Sequence, residues 1–447
     1  MKKVALTTFG CKANQFDTAV LESLLRKEAV AIVDFGAKAD FYVINSCAIT
    51  ASACREARQF ARRAHKTNPE ARIIVTGCSA QTDSAAFEKM GIVHHVVGNE
   101  EKGSVVEYIC RGDPCDRPSG GLIQDSPLRI FYETPSAYPG HSRAFLKIQD
   151  GCSQFCSFCI VPFARGLNRS VPPDKILESM QKLRRREFNE IVLTGIHLGT
   201  YGYDLMPRTS LCELMRRIDR EKPAPRVRIS SVDPEELSDE TIDLIAGSDI
   251  FCRHLHLPLQ SGDDGILKKM RRRYTAGHFA GLAERLNKRM PDMCIGTDLI
   301  AGFPGEGDRE FEASRRLLAE TPVHYIHTFP YSDRKGTKAE GFQDKVEPKV
   351  IRRRAQQVRD LSSTKRRAFQ RNFIGQTLEG VIESRGAAGQ PVALTRNYIS
   401  VEITDECYYS AGSLAPVRID AVDSAGARGV VSSHESRVTT RVATRDF

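Results

Sequence analysis

The stretch A-F-L-K-I-Q-D-G-C-S-Q-F-C-S-F-C, residues 144–159, decides the fold. Its first part, A-F-L-K-I-Q-D, predicts a strand, and directly beyond it Cys152, Cys156 and Cys159 form a C-x3-C-x2-C pattern. Three thiolates this close together can bind three irons of a 4Fe-4S cubane, which leaves the fourth iron with an exchangeable position. A structural zinc site needs four ligands and no fourth ligand is nearby, so the pattern favours an iron-sulfur cluster over zinc.

More strand candidates follow this one, and helical patterns separate them. They are E-I-V-L-T-G (190–195), R-V-R-I-S-S (226–231), H-L-H-L-P-L (254–259), C-I-G-T-D-L-I-A-G (294–302) and Y-I-H-T-F-P-Y-S (325–332). Six strands in alternation with helices predict a partial (β/α)6 barrel, whose reactive face lies at the carboxyl ends of its strands. The cysteine loop then stands on that face.

The first hundred residues also alternate strand and helix. One strand ends at Thr8, and residues 14–28, 41–45, 51–66 and 72–76 predict helix, strand, helix and strand in turn. Alternation of this kind predicts an open parallel sheet wrapped by helices, so the fold class is α/β.

Cys11, Cys47 and Cys78 each come just after one of these strands. Because the carboxyl ends of parallel strands meet at one edge of a sheet, the three thiols can converge there and hold a second metal cluster. The alternative is that they are small buried apolar residues, a common use of cysteine in such cores. The residues alone leave both interpretations open.

Composition and charge change along the chain and suggest its domains. Between Lys345 and Arg371 there are 10 Lys or Arg, against 3 acids if Asp344 at the edge is counted, and the periodicity is helical. After Gly375, short alternating runs separated by turns predict a small antiparallel β-barrel. The predicted parts are an amino-terminal α/β domain (1–112), a Gly-, Pro- and Ser-rich linker (113–142), the barrel (143–343), a basic helical connection (344–373) and the terminal β-barrel (374–440).

The composition is that of a globular protein with a basic excess. The 447 residues are 41% hydrophobic and 27% charged, and the net charge of +9 favours a polyanionic partner such as nucleic acid. No window approaches a membrane span and the start turns polar too soon for a signal peptide, so we expect a cytoplasmic protein without a membrane partner. In that compartment the 13 cysteines are interpreted first as metal ligands, not as disulfides.

The cysteine spacing, with an aromatic residue before the last cysteine, resembles the radical S-adenosylmethionine superfamily. The resemblance implies that Cys152, Cys156 and Cys159 are the catalytic cluster ligands. It also implies contacts to S-adenosylmethionine from the ends of barrel strands and from G-T-D-L-I-A-G-F-P-G-E (296–306). The residues at those positions are Phe158, Thr194, Gly195, Ser230, Asp298 and Gly302.

Nearly the whole chain resembles the methylthiotransferase family within that superfamily. The matching motifs are T-F-G-C-K-A-N-Q, N-S-C-A-I-T, T-G-C-S-A-Q and S-F-C-I-V-P-F-A-R-G-L-N-R-S. The resemblance implies that Cys11, Cys47 and Cys78 hold a second 4Fe-4S cluster and that the terminal β-barrel is a TRAM domain. It further implies insertion of sulfur and a methyl group at an unactivated C–H bond, with an electron donor and a sulfur source as partners. Ser79 stands where the family has tyrosine, a departure that touches no ligand.

The variants G-C-K-A-N-Q-F-D-T and C-I-V-P-F-A-R-G-L-N-R-S look most like the branch acting on N6-threonylcarbamoyladenosine at position 37 of transfer RNA. The resemblance implies a 2-methylthio product. Basic runs at 182–187, 268–273 and 345–371 are candidate phosphate contacts, although each is also compatible with a solvated helix face.

Two other functions fit part of the pattern. From Gly375 onward there are 7 Arg and 9 acids, and an acidic barrel suits a sister branch that modifies an aspartate of a basic ribosomal protein. A non-catalytic zinc-bearing RNA-binding protein is more remote, since it has no use for residues 296–306.

The other seven cysteines have no matching role, and we interpret them as structural. Cys110 and Cys115 sit in one polar stretch without further ligands. Arg165, Arg169 and His197 are either substrate or cofactor contacts or ordinary loop residues.

Overall fold

The computed structural model describes residues 1–111, 129–138, 140–383, 389–406 and 408–431. At Ala51 it describes the backbone but not the side chain. The first unit is an open sheet whose five strands pair in parallel in the order β2-β1-β3-β4-β5. Its elements are β1 (Lys3–Thr8), α1 (Lys12–Lys27), β2 (Ala31–Val33), β3 (Phe41–Ser46), α2 (Ala51–Thr67), β4 (Arg72–Gly77), α3 (Cys78–Thr82), α4 (Ser84–Glu88), β5 (His95–Val97) and α5 (Ser104–Arg111).

The burial of the central strand β3 shows that both faces of this sheet are covered. All six of its residues, Phe41–Ser46, are buried, as expected for a parallel strand covered by helices on both sides. The helix that follows, α2, begins where the Thr50 side chain accepts the N–H of Ala53, a standard N-cap that satisfies one free donor. The predicted α/β class and alternation are confirmed.

A barrel of six parallel strands follows, and all six predicted strands are present. The elements from the preceding connection onward are α6 (Arg129–Tyr132), β6 (Ala144–Lys147), β7 (Gln149–Asp150), α7 (Val161–Arg165), β8 (Arg169–Ser170), α8 (Pro173–Arg185), β9 (Glu190–Thr194), α9 (Leu211–Glu221), β10 (Arg226–Ile229), α10 (Asp239–Gly247), β11 (His254–His256), α11 (Asp264–Lys269), α12 (Ala276–Arg289), β12 (Cys294–Ala301), α13 (Asp308–Glu320) and β13 (Tyr325–Pro330). Short 3-10 turns occur at Leu198–Thr200, Pro234–Glu236 and Lys338–Gly341.

The barrel is partial because its two edge strands do not meet. The sheets β10-β9-β6 and β11-β12-β13 join only through isolated bridges, Val227 with Phe251 and Ser231 with His256. Among the described residues β6 and β13 form no pair with each other, so the barrel is open between them. Helix α1 packs against β6 and helix α14 (Pro348–Arg371) packs against β13 on either side of this opening.

The last unit is a closed five-stranded barrel, in the order β14-β15-β16-β18-β17. Its strands are β14 (Thr377–Glu383), β15 (Val392–Thr395), β16 (Ser400–Ile403), β17 (Leu414–Val422) and β18 (Ala427–Val431). Val417, Ile419 and Val401 alternate with exposed residues and fill its interior. The predicted small β-barrel is confirmed over these strands, but it is not antiparallel throughout, because β16 and β18 pair in parallel where the sheet closes. The predicted residues beyond 431 lie outside the described range.

Candidate active site

The Cys152 loop stands on the carboxyl end of β6, as the strand-then-cysteine pattern predicts. Gly151 begins it with φ of +71°, and a Cβ there would lie 2.0 Å from the carbonyl oxygen of Leu167, so only glycine fits. The loop is tied down by two hydrogen bonds of Ser157, whose N–H donates to the Met270 carbonyl (3.1 Å) and whose hydroxyl donates to the Lys269 carbonyl (2.8 Å).

Charged side chains surround the thiols of this loop. Arg272 lies 3.3 Å from the Cys156 sulfur through its Nη1 and forms an ion pair of 2.6 Å with Asp233. Burial raises the pKa of the Cys156 thiol, while the nearby Arg272 charge opposes that rise. A cation at this position stabilises negative charge on the sulfur.

His197 borders the same loop on another side. Its Nδ1 is 3.7 Å from the Cys152 sulfur, and its Nε2 is 2.8 Å from Glu236. Burial would lower the pKa of His197, but Asp233, Cys152 and Glu236 outweigh burial and raise it to about 12, so the ring is charged at neutral pH. The sequence left His197 undecided and placed Arg272 only in a basic run of candidate phosphate contacts. It did not single out Asp233 or Glu236, because nothing in their local patterns marks them.

The second triad comes together at the sheet edge. Cys11, Cys47 and Cys78 follow β1, β3 and β4 respectively, which are neighbours in the sheet. Gly10 has φ of +93°, and a Cβ there would lie 2.5 Å from the Cys47 sulfur, which shows how closely the first loop approaches the second. The charges of Cys78 and Cys11 both act on Cys47, whose thiol pKa burial raises to about 12.

The two cysteine regions are neighbours in space. Cys78 packs in one apolar cluster with Ile160 and Ala164, which follow the Cys152 loop. The Asn99 amide lies 3.5 Å from the Cys78 sulfur and donates to the Ala164 carbonyl (2.7 Å). A side chain of the first unit therefore bridges the two regions.

A cavity of about 270 Å³ opens between the two regions. On one side it is lined by Phe158 and Cys159 of the Cys152 loop, and on the other by Ile49 and Thr50, just after Cys47. Strands β12 and β13 contribute Asp298, Ile300, Phe329 and Pro330 to the wall, and Gln260 and the segment 331–334 also line it. We refer to this space as the reaction cavity.

A buried ionic network holds the first unit against the barrel. Asp17 on α1 forms ion pairs with Lys102 (2.7 Å), Lys147 (2.5 Å) and Arg165 (3.1 Å), and all four side chains are 3% exposed or less. Lys147 and Arg165 also bind Asp150, at 2.7 and 2.9 Å. Both terminal nitrogens of Arg165 are thus engaged in this network, while Arg169 lies over the Phe131 ring.

The residues predicted to contact S-adenosylmethionine are spread over several strand ends. Phe158 and Asp298 line the reaction cavity. Thr194 ends β9, Gly195 follows it, and Ser230 follows β10, all on the carboxyl side of the barrel. Gly195 is packed tightly, since a Cβ there would lie 2.9 Å from Gln149, whose side chain accepts the N–H groups of Ile196 and His197.

Gly302 and Asp298 have additional partners that the motif does not reveal. The N–H of Gly302 donates to Glu306 (2.8 Å), and its Cα lies under Ile351 of α14. Asp298 pairs with His256 at 2.8 Å and with His327 at 3.5 Å. Burial would raise the pKa of Asp298, but these two imidazoles hold it well below its usual range, so the reaction cavity contains a carboxylate.

Several side chains of the basic runs contact other parts of the protein. In 268–273, Arg272 faces the Cys152 loop. On α14, Arg354 is buried against Glu306 and Asp308, and Lys365 donates to the carbonyls of Ala319 and Thr321. Arg366 lies over the Tyr325 ring and lines a second cavity of about 260 Å³ beside the terminal β-barrel.

The remaining cysteines have ordinary surroundings where the structure describes them. Cys252 and Cys294 are buried, and Cys54, Cys110 and Cys212 are half-buried. Cys115 and Cys407 lie outside the described residues. Within the described ranges, no helix combines the length and apolar character needed to cross a membrane.

The thiol triads fit iron-sulfur clusters. Burial raises the pKa of Cys159, like that of Cys47, to about 12, so these sulfurs ionise only beside a strong positive charge such as cluster iron. Neither triad brings its three sulfurs within 4.8 Å of one another, in contrast to the His256, Asp298 and His327 group. One zinc ion could not bind such a triad without movement, whereas the irons of a cubane are spread apart.

Comparisons with known proteins agree with this architecture. Residues 146–318 match the Radical SAM superfamily and residues 3–98 match the uncharacterized protein family UPF0004. The threonylcarbamoyladenosine tRNA methylthiotransferase MtaB of Bacillus subtilis is 36% identical over 90% of both chains, and the protein of that name from Rickettsia prowazekii is 33% identical over 94% of this chain and 95% of its own.

A solved structure shares the fold. The radical S-adenosylmethionine methyltransferase TsrM from Kitasatospora setae superposes with a TM-score of 0.54 at 16% identity, over 76% of this chain and 75% of its own. A domain of the Radical SAM superfamily uses a 4Fe-4S cluster and S-adenosylmethionine. From the family models and the full-length relatives together, the chain belongs to the radical S-adenosylmethionine methylthiotransferases, in the MtaB branch.

Proposed function

We propose that this enzyme converts N6-threonylcarbamoyladenosine at position 37 of transfer RNA into its 2-methylthio derivative. Relatives named for threonylcarbamoyladenosine tRNA methylthiotransferase activity align over nine-tenths of the chain, which supports the substrate. The observation that carries the reaction is the reaction cavity, which Cys159 of the first triad lines on one side and Ile49 and Thr50, just after Cys47, line on the other. A tRNA-modifying role also agrees with the net charge of +9 and with a cytoplasmic location.

The proposal includes two 4Fe-4S clusters, one on each triad. Cys152, Cys156 and Cys159 would hold the first, which would supply one electron for the reductive cleavage of S-adenosylmethionine. Cys11, Cys47 and Cys78 would hold the second, beside which sulfur and methyl group are assembled. Convergence of the second triad at a single sheet edge, next to the reaction cavity, supports this assignment.

The protein's own side chains have definite tasks in this scheme. Arg272 donates to the Cys156 sulfur, and the charged His197 lies beside Cys152, so both would stabilise thiolate charge. Phe158 packs edge-on against Phe303 and would shield the cofactor from water. Thr194, Gly195, Ser230, Asp298 and Gly302 are retained as proposed contacts or supports for S-adenosylmethionine.

RNA would reach the barrel on its open side. The second cavity lies there, between α14, the start of β13 and the terminal β-barrel, and it is lined by Arg366, Arg143 and Tyr398. Arg366 is exposed, and the described residues give it no carboxylate partner, so it is available for a phosphate. We further propose the domain limits given by the sequence, with the terminal β-barrel as a TRAM domain that helps hold RNA.

The other candidate functions gain nothing from the structure. A non-catalytic zinc protein is excluded by membership of an enzyme family. The excess of acids in the terminal β-barrel still argues for a basic ribosomal protein as the substrate. That protein is therefore tested beside transfer RNA. An electron donor and a sulfur source are required in either case.

The test is product formation by anaerobically reconstituted enzyme with S-adenosylmethionine, sulfide and a reductant. Transfer RNA that carries N6-threonylcarbamoyladenosine should yield the 2-methylthio nucleoside in digests analysed by mass spectrometry. The same RNA with plain adenosine at position 37 is the matched control and should stay unchanged. Product on the ribosomal protein but not on RNA would refute the proposed substrate.

A further inference from the structure

We propose that Arg334 binds the carboxylate of the threonylcarbamoyl group inside the reaction cavity and thereby selects the modified nucleotide. The inference rests on the proposed function, because it assigns a contact to the substrate named there. Arg334 follows β13 and lines the reaction cavity. Its Nη2 is buried and has no hydrogen-bond partner among the described residues. A buried cationic donor without an acceptor is costly, so we expect a ligand to supply the acceptor.

The charges of the cavity wall leave Arg334 without a carboxylate. Among the described residues that line the cavity, Arg334 is the only cation and Asp298 the only acid. Asp298 pairs with two histidines, and Asp333, next to Arg334 in the chain, pairs with Lys345. Burial lowers the pKa of Arg334, as expected for a cation withdrawn from water without a matching anion. The guanidinium is therefore left for an anion that enters with the substrate.

Hydrogen bonds fix the position of Arg334 between the two cysteine regions. Its Nε donates to the carbonyl oxygen of Ile49 (3.1 Å), so the side chain reaches from the barrel to the first unit. Further along the same segment, the N–H of Ala339 donates to the carbonyl oxygen of Ser157 in the Cys152 loop (2.7 Å). The guanidinium is thus in place before substrate binds, which reduces the entropy cost of recognition.

The threonylcarbamoyl group has the chemistry that this guanidinium requires. With Nε engaged, the two terminal nitrogens of Arg334 are the free edge, which suits bidentate hydrogen bonding to a carboxylate. Plain adenosine has no carboxylate. The ureido N–H of the modified base can close a hydrogen-bonded ring with N1, which directs the carboxylate along the edge that carries C2. Because C2 receives the methylthio group, its neighbour on that edge must also lie in the reaction cavity.

Two other anions can reach this part of the molecule. RNA phosphates are one, but the exposed Arg366 at the second cavity is already placed for them. The carboxylate of S-adenosylmethionine is the other, and most of the predicted contacts to that cofactor lie in the Cys152 loop and at the ends of β9 and β10. Arg334 instead bonds to the first unit, which favours the carboxylate of the substrate.

The experiment changes protein and RNA together. Two anticodon stem-loops are compared, one with N6-threonylcarbamoyladenosine at position 37 and one in which the threonine carboxylate is replaced by a carboxamide. Fluorescence anisotropy measures their binding to reconstituted wild type, to Arg334→Gln and to the control Lys335→Gln, whose side chain is exposed. We expect wild type and Lys335→Gln to prefer the carboxylate RNA about 10- to 100-fold, the usual contribution of a hydrogen bond to a charged group. Arg334→Gln should bind both RNAs equally.

A conservative variant keeps the comparison valid if Arg334→Gln does not fold. Arg334→Lys retains the charge but loses the planar fork, so it should keep only a few-fold preference for the carboxylate RNA, about a third or less of the wild-type value. Iron content and thermal unfolding show that each variant is folded and carries its clusters.

Three results would overturn the proposal. Wild type could bind both RNAs equally, or Arg334→Gln could weaken both RNAs by the same factor, which would assign the guanidinium to a phosphate. A raised KM for S-adenosylmethionine in deoxyadenosine release without RNA, with the RNA preference intact, would assign it to the cofactor. The proposed function is judged separately by the methylthio product. Product from an enzyme without the preference refutes only the Arg334 contact, whereas a preference without product refutes only the reaction.

Discussion

The two cysteine triads of this molecule are assembled in opposite ways. Cys152, Cys156 and Cys159 lie in one loop, so the local chain alone brings their thiols together. Cys11, Cys47 and Cys78 are far apart in sequence and meet only because β1, β3 and β4 are adjacent parallel strands. Three cysteines can therefore be brought together by a short loop or by the edge of a parallel sheet. Only the loop gives a sequence spacing that is specific by itself.

The surroundings of the triads differ as well. The first is bordered by charged groups, Arg272 and His197. The second has the amide of Asn99 beside Cys78 and packs against apolar residues, and the charges of Lys102 and Arg165 act on Cys78 from the buried ionic network. Only in the first triad does a cation, Arg272, lie within hydrogen-bond distance of a sulfur among the described residues. Donors and charges near cluster sulfurs tune reduction potential, so we expect the two proposed clusters to differ in potential.

The largest effect is expected from replacing Cys152, Cys156 and Cys159 together by alanine. Iron content should fall from about eight to about four atoms per chain, because only the second cubane remains. Deoxyadenosine release and methylthiolation should both become undetectable. Iron and sulfide analysis with chromatography of the nucleosides measures this, with Cys212→Ala as the control. A wild-type content of about four irons would contradict the two-cluster proposal.

Replacing Cys11, Cys47 and Cys78 by alanine should separate the two activities. About four irons should remain, and S-adenosylmethionine should still be cleaved, because the barrel keeps its own cluster loop. No methylthio product should form, since the sulfur assembly site is lost. The same nucleoside assay reports both outcomes. Methylthiolated RNA from this variant would show that the second triad is structural.

Asp17→Asn tests whether the buried ionic network stabilises the packing of the first unit against the barrel. The change leaves Lys102, Lys147 and Arg165 without a shared carboxylate, and loss of one partner from a buried ion pair costs about 3–5 kcal/mol of unfolding free energy. Thermal unfolding of the variant should begin at a lower temperature. Asp34→Asn is the control, because Asp34 is exposed and binds only the nearby Gly36 amide. Equal melting temperatures would refute a role of the network in stability.

The same carboxylate predicts a pH dependence. Burial alone would raise the pKa of Asp17, but Lys102, Lys147 and Arg165 hold it far below its usual range. A depressed folded-state pKa stabilises the protein above the unfolded value near 3.9, and that contribution is lost as the pH falls. Wild-type stability should therefore decline below about pH 5 more steeply than that of Asp17→Asn, as measured by denaturant unfolding. Parallel curves would contradict the assignment.

The smallest effect concerns the first cluster alone. Arg272→Gln removes a positive charge 3.3 Å from the Cys156 sulfur, so the oxidised cluster should be favoured and its midpoint potential should become more negative. The shift in midpoint potential should correspond to a free-energy difference of about 1.5–3 kcal/mol, which is the usual contribution of a hydrogen bond to a charged group. Redox titration followed by electron paramagnetic resonance measures it, and Arg273→Gln is the control. An unchanged potential would mean that Arg272 serves only to pair with Asp233.

The sequence by itself determined the strands and the first triad. Short runs rich in apolar and β-branched side chains, separated by helical patterns, marked all six barrel strands, because parallel strands covered by helices bury most of their side chains. The Cys152 loop could be singled out because its three cysteines are neighbours in the chain. The structure confirms the parallel order of β1, β3 and β4 from which convergence of the second triad was expected, while its role as a ligand set stays a prediction.

Only the tertiary structure decided which charges face inward. Arg272 lies in a basic run that suggested phosphate contacts, yet it turns toward Cys156, and Arg354 on the basic helix is buried against Glu306. Asp17, Lys102 and Arg165 belong to three separate segments and form one network. Periodicity shows which face of an element is apolar, but it does not show which distant segment covers a charge. Such pairings depend on how the units dock, which follows from packing across the whole chain.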